Sequence, residues 1–303
     1  MSAPPRLFNR RLHRQRLDRA ARGLAQADFL KARAAGDMVE RLEIILRDFP
    51  VCVDLGSRRG VFINPLAQSD AAKRVGMVIE TDLSNAMLAD RQGPRLVVDE
   101  EALPFASESL DLVVSSLALH WVNDLPGTLI QVRRALKPDG LFLGAIFGGQ
   151  TLTELRQCLL QAESDLTGGA GLRVAPFADT FDVAGLLQRA GFALPVADLD
   201  RVTVRYDHPL KLIADLRLMG ETNVLADGGG RPLSRAVLAR AVALYQQRFS
   251  DPDGRIRATF DIITMTGWAP HASQQKPLKP GSAKMRLADA LGTQEISAGE
   301  KPA

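Results

Sequence analysis

The sequence predicts an α/β protein built on a doubly wound sheet, with N-terminal helices and a helical insert before the last strand. Three observations carry that prediction. Short apolar runs that stop at turn residues, such as Val51-Cys52-Val53-Asp54-Leu55 before Gly56, read as buried parallel strands. Helical stretches lie between several of these runs, as a doubly wound topology requires. The composition is ordinary for a globular chain of 303 residues, 46% hydrophobic and 24% charged, which excludes wholesale disorder. The uncharged apolar stretch at 141–153 is diluted by glycine and falls short of the ~20 residues that a bilayer span needs.

The elements follow in order. Residues 1–48 read as a basic helical segment, in which Phe29, Leu30, Met38, Leu42, Ile45 and Leu46 are spaced for a helix face. The period then changes, and strands are expected at 51–55, 75–81, 95–98, 110–116 and 140–147. Asn123 or Asp124 caps a helix with Leu125, Leu129, Val132 and Leu136 on one side, and Lys137-Pro138-Asp139-Gly140 stops it. Gly168-Gly169-Ala170-Gly171 is a loop. Thr180 caps a helix over 181–190, with Gly191 as its stop. A strand over 196–206, helices over 209–219 and 233–249, and a last strand over 256–268 complete the order. The glycine-rich stretch 226–232 reads as flexible, and the polar chain from 272 onward as a disordered tail. Four regions result: the N-terminal segment 1–48, a ligand-binding core 49–150, a C-terminal helical lobe with the last strands 151–271, and the tail 272–303.

Charge and cysteine usage narrow the setting. Of 38 basic residues only eight are Lys, a skew that points to a GC-rich bacterial genome. Cys52 and Cys158 form neither a C-x-x-C pair nor a disulfide framework, which fits a reducing cytoplasm, and Cys52 reads as a small buried hydrophobe. The net charge is only +3, yet Arg6, Arg10, Arg11, Arg14, Arg16, Arg19 and Arg22 crowd the N-terminus against Asp18 alone. Three readings compete: a transit peptide, a patch for an acidic partner, or the solvated face of a helix footed on Phe8, Leu12 and Leu17. The last is preferred, and no nucleic-acid partner is expected. His13, His120, His208 and His271 show no paired spacing, so no metal site is expected.

The chemistry concentrates where the first strand ends, at Asp54-Leu55-Gly56-Ser57-Arg58-Arg59-Gly60. Glycines at 56 and 60 permit tight turning and close approach of backbone to a ligand. An open α/β sheet binds ligands at such carboxyl ends. The spacing is G-x-x-x-G rather than G-x-G-x-x-G, which disfavours a nicotinamide dehydrogenase.

This run resembles the first motif of class I S-adenosylmethionine-dependent methyltransferases, D-x-G-x-G-x-G, with Arg58 at the central glycine position. The resemblance implies S-adenosyl-L-methionine as cofactor, held by Asp54, Gly56, Ser57, Arg58, Gly60, Asp82, Leu83, Asp99, Glu100 and Ser116. Asp82, ending the second strand, would accept both ribose hydroxyls. Asp99 or Glu100, after the third, would meet the adenine amino group. Arg58 either crowds the cofactor or pairs with its carboxylate, and pairing is favoured. Read alone, Asp82 is equally a turn acid and Asp99 equally a cap; it is their order and spacing that make the resemblance.

A longer set of segments is similar to the complex I assembly factor five family. They are Asp99-Glu-Glu-Ala-Leu-Pro-Phe105, Ser115-Ser-Leu-Ala-Leu-His-Trp-Val-Asn-Asp-Leu-Pro126 and Lys137-Pro-Asp-Gly-Leu-Phe-Leu-Gly-Ala-Ile-Phe-Gly-Gly149. Leu7-Phe-Asn-Arg10, Met219-Gly-Glu-Thr-Asn223 and Gly267-Trp268 extend the match over roughly residues 6–292. The resemblance implies hydroxylation of an arginine in a complex I subunit. It also implies that subunit or an assembly intermediate as partner, and a matrix location in eukaryotes. Malonyl-carrier-protein and trans-aconitate methyltransferases share the His-Trp loop. His120, after the fourth strand, is the candidate catalytic base, and Trp121 a pocket wall. Glu221 and Asn223 either cover the pocket or form a turn. Three functions stay open: an arginine modifier, a methyltransferase acting on a carrier protein or small carboxylic acid, and a non-catalytic assembly scaffold. Asp54, Asp82 and Asp99 favour the first two. Arg58 favours the third, as does Pro65, which interrupts the helix after the glycine loop.

Overall fold

The computed structural model describes residues 6–226, 232–275, 282 and 285–294. The chain divides into Met1–Pro270 and His271–Ala303. The first unit opens with α1 (Arg10–Ala20) and α2 (Phe29–Ile44). Asn9 caps α1 by accepting from the Leu12 amide, and α1 buries His13, Leu17 and Ala20. Helix α2 buries Leu30, Ala34, Ala35, Met38 and Leu42, and with them Lys31.

Alternation follows: β1 (Phe49–Leu55), α3 (Ile63–Leu66), β2 (Val75–Asp82), α4 (Asn85–Leu88), β3 (Arg95–Val97), β4 (Leu110–Ser116), α5 (Leu125–Ala135) and β5 (Leu136–Phe147). Then come α6 (Thr153–Thr167), α7 (Thr180–Arg189), β6 (Ala193–Tyr206), α8 (Pro209–Met219), α9 (Arg235–Phe249) and β7 (Ile256–Trp268). The strands form one sheet in the order β3-β2-β1-β4-β5-β7-β6. The first five are parallel, and β7 runs antiparallel to both its neighbours. Cys52, Leu112 and Leu141 pack with α2 on one side, while Val53, Val113 and Phe142 pack with α5 and α7 on the other. The strand order reverses between β1 and β4, so the loops after β1, β2 and β4 open onto one crevice. The second unit contains a short helix, α10 (Leu287–Leu291), where a disordered tail was expected.

Several boundaries differ from expectation for local reasons. Asp124, not Asn123, caps α5, accepting from the Gly127 amide. Leu136 belongs to β5, paired with Leu110, rather than to the helix face. Asp179, not Thr180, caps α7. Helix α6 was not expected: it starts after Leu152, which sits in the left-handed region at φ +55° with no side-chain cap, so no start signal marks it. Helix α3 is a single turn that contains Pro65. Of the stretch 226–232 read as flexible, residues 227–231 lie outside the described residues.

Candidate functional site

The glycine loop after β1 turns sharply. Gly56 (φ +73°) and Gly60 (φ +78°) take backbone conformations that suit glycine, and a Cβ at Gly56 would collide with Ala118. Arg58 and Arg59 also adopt positive φ, +45° and +65°, which costs strain in a non-glycine residue. Arg59 turns outward to Asp90, at 2.7 Å.

Arg58 turns inward and is completely buried. Its Nη1 donates to Asp82 Oδ2 at 2.7 Å, and its backbone N–H donates to the same oxygen at 3.1 Å. Asp82 Oδ1 accepts from the Ser84 amide at 2.9 Å. Within this chain the Arg58 guanidinium thus pairs through Nη1 with Asp82. Arg58 Nε and Nη2 have no protein partner.

A second guanidinium arrives from α1. Arg10 Nη2 donates to Asp99 Oδ1 at 2.8 Å and to Glu100 Oε2, and Nη1 donates to the Trp121 carbonyl at 3.2 Å. Glu100 and Asp99 raise the Arg10 pKa, although burial pulls the other way. Arg10 therefore departs from the solvated-face reading of the N-terminal arginines. Its approach is fixed by main-chain anchors: the Phe8 amide donates to Asn123 Oδ1 at 2.7 Å and the Asn9 amide to the Val224 carbonyl at 2.8 Å. The Phe8 and Trp121 rings meet edge to face at 5.3 Å.

Asp54 is fully buried and neither carboxylate oxygen has a protein partner. Burial first, then Glu80 and Asp82, push its pKa far above the carboxylate range. Ser57 Oγ and Glu100 Oε1 are also buried without partners. The loop thus brings Asp54, Gly56, Ser57, Arg58, Asp82, Asp99 and Glu100 to one crevice. Three other residues expected there face elsewhere: Gly60 lies against the Arg91 guanidinium, Leu83 packs with Leu17 and Met87, and Ser116 Oγ meets Met38 Sδ at 3.6 Å.

The loop after β4 carries His120 and Trp121 onto Glu221, which follows α8. His120 Nε2 lies 3.0 Å from Glu221 Oε2, and Trp121 Nε1 donates to that oxygen at 2.6 Å. Lys31 Nζ donates to Glu221 Oε1 at 2.8 Å and to the Leu117 carbonyl at 2.6 Å. Burial alone would raise the Glu221 carboxyl, but Lys31 and His120 outweigh it and hold the group well below its ordinary value. Burial lowers the His120 pKa against the pull of Glu221, so the ring is neutral at pH 7, and its Nδ1 has no partner. Glu221 is therefore part of the site and not of a bare turn. Asn223 lines the same cavity and donates to the Leu172 carbonyl at 3.0 Å. Sequence reading missed Arg10 and Lys31 as site residues; a lone lysine on the apolar face of α2 was the available signal.

Trp121 and Glu221 also line a cavity of about 370 Å³, walled by Phe147, Leu155, Phe177 and Leu216. Arg16 and Arg217 contribute to its lining and make no ion pair among the described residues, while Arg173 is held by Glu163. Arg16 Nε and Thr222 Oγ1 are buried without partners.

A family model described as a methyltransferase domain matches residues 53–144. The mouse protein named mitochondrial arginine-hydroxylase NDUFAF5 is 39% identical over 302 residues, covering 97% of this chain and 87% of its own. A malonyl-[acyl-carrier protein] O-methyltransferase from Gallionella capsiferriformans is 32% identical, covering 87% and 92%. Among solved structures, the YcgJ protein of Bacillus subtilis superposes with a TM-score of 0.54 at 16% identity, over 79% of this chain and 99% of its own. A phosphoethanolamine N-methyltransferase of Haemonchus contortus, solved with S-adenosylhomocysteine, gives 0.52 at 15% identity, over 86% and 61%. The sheet is that of a class I methyltransferase.

Proposed function

Because the chain belongs to the family of arginine-hydroxylase NDUFAF5, carried on a class I methyltransferase fold, we propose that it hydroxylates an arginine of a respiratory complex I subunit. The reading places it in the bacterial cytoplasm, or in the matrix of a eukaryotic mitochondrion; among the described residues no helix is long and apolar enough to cross a membrane. The observation that carries the proposal is Glu221. Its carboxylate is buried, held ionised, and set in the wall of an aromatic-lined cavity. An ionised carboxylate has about four lone-pair sites, and Lys31, His120 and Trp121 engage three of them. The remaining one suits a guanidinium N–H, and neutral His120 beside it suits a base.

S-adenosyl-L-methionine is the cofactor implied by the fold, and the donor set fits it. Asp54, Ser57 and Glu100 offer buried, unpartnered polar atoms around a glycine cradle, and Asp82 and Asp99 stand at the ends of β2 and β3. When bound, it supplies a methyl group on a sulfonium centre, which is the chemistry of methyl transfer; hydroxylation would draw its oxygen atom from a separate oxidant such as molecular oxygen. The loop residues would hold and orient it, while His120 and Glu221 lie on the substrate side.

A second reading draws on Arg16 and Arg217, whose charges favour a carboxylate-bearing substrate in the cavity, as a methyltransferase on a carrier protein or small acid would need. Intact-mass analysis of complex I subunits from cells with and without this gene separates the readings. A gain of one oxygen on an arginine is the expected result. No change on any subunit would leave the second reading and a scaffold role, which transfer of a labelled methyl group from S-adenosyl-L-methionine to an acyl-carrier protein or small carboxylic acid then tells apart.

A further inference from the structure

We infer that Arg58 and Arg10 are built-in occupants of the carboxylates that would hold the nucleoside, so that ligand and arginines compete for the same acids. The inference rests on the reading of S-adenosyl-L-methionine as the ligand.

The argument is a count of acceptor sites. Asp82 accepts one bond on Oδ1, from the Ser84 amide, and two on Oδ2, from the backbone and the Nη1 of Arg58. Of about four lone-pair sites on a carboxylate, one remains. Two ribose hydroxyls need two, so the ribose reaches Asp82 in full only when Nη1 leaves. The adenine side repeats the pattern: Asp99 Oδ1 accepts from Arg10 and from the Glu101 amide at 3.1 Å, and Glu100 Oε2 accepts from Arg10.

The Arg58 guanidinium also stands close to the glycine loop. A Cβ placed on Gly56 would lie 3.7 Å from Arg58 Nη1 and 3.6 Å from Glu100 Oε1. The Arg58 guanidinium and the Glu100 carboxylate thus converge beside Gly56, whose missing side chain also makes room for Ala118. Glu100 Oε1 is buried and free, and so are Arg58 Nε and Nη2. A displaced Arg58 guanidinium therefore has a second acid within the same crevice, and its buried charge need not be stranded. Arg58 is on this account a specificity-determining residue that sets how much of the chain is open to the nucleoside.

Arg58→Gly breaks a buried ion pair, which costs stability, and two features of the loop offset that cost. It removes the guanidinium and leaves Asp82 its two backbone N–H donors. It also relieves a left-handed non-glycine conformation. Arg10→Met removes the other guanidinium without touching the loop. Calorimetry of the full chain with S-adenosylhomocysteine should show weak binding to the wild type. If the unlocked arrangement holds about a tenth of the molecules, Arg58→Gly should tighten binding by roughly tenfold. Arg10→Met should also tighten it. Circular dichroism and melting of each variant confirm that the fold is kept. Equal affinity in wild type and variants would overturn the inference and leave the cofactor reading standing. Weaker binding by Arg58→Gly would make Arg58 an anchor and overturn it too. No binding by any folded protein would overturn both.

Discussion

Glu221 is the residue on which the charge balance of the substrate side turns. Its carboxylate faces a fully buried lysine and a neutral histidine, so removing its charge strands Lys31 without a counter-ion. Breaking a buried pair from one side typically costs about 3–5 kcal/mol. Glu221→Gln should therefore lower the melting temperature at pH 7 by roughly ten degrees. The pH dependence has a definite sign. The folded-state pKa of Glu221 is depressed below 4.5, so its contribution is present above that value and is lost as the pH falls through the folded pKa. The gap between wild type and variant should then close in acid. A variant that melts with the wild type at pH 7 would show that Lys31 finds another partner and that Glu221 is not the organising charge.

Elements position this residue. Helix α8 ends at Gly220, in the left-handed region at φ +78°, which turns the chain so that Glu221 enters the site. A Cβ there would lie 2.9 Å from Leu17 Cδ2 of α1. Gly220→Ala meets both obstacles, and the backbone term alone is about 1–2 kcal/mol. Urea unfolding should show at least that loss; an unchanged midpoint would mean that α1 yields without cost. Legibility in the sequence follows the same local rules. Helix α8 and strand β7 matched their expected bounds because Pro209 opens the helix, Gly220 closes it, and β7 carries alternating β-forming residues. Strands β1 and β4 were legible as short apolar runs. Helix α6 was not, since it lacks a capping residue, and β5 begins inside a stretch rich in turn residues.

At the scale of the molecule, the acids of the site were legible and their partners were not. Asp54 and Asp82 stand at the carboxyl ends of β1 and β2, and Asp99 just after β3, and strand ends can be read from the sequence. Arg10 stands 89 residues from Asp99, and Lys31 190 residues from Glu221, and only the closed fold shows that they meet. The same fold sorts the N-terminal arginines by face. Arg10 points inward, while Arg11, Arg14 and Arg19 are exposed on α1 and make no ion pair among the described residues. Three like charges on a helix that is anchored by Leu17 and Ala20 form a fixed basic surface beside the site. That surface suits an acidic patch on the proposed complex I subunit. Exposed charges contribute only about 0–1 kcal/mol each to stability. Replacing Arg11, Arg14 and Arg19 with Gln should therefore leave the melting temperature nearly unchanged. Association with the subunit, measured by surface binding at low and high salt, should weaken at low salt, and the difference should shrink as salt screens the remaining charges. Association that is insensitive to both salt and substitution would place the docking surface elsewhere on the molecule.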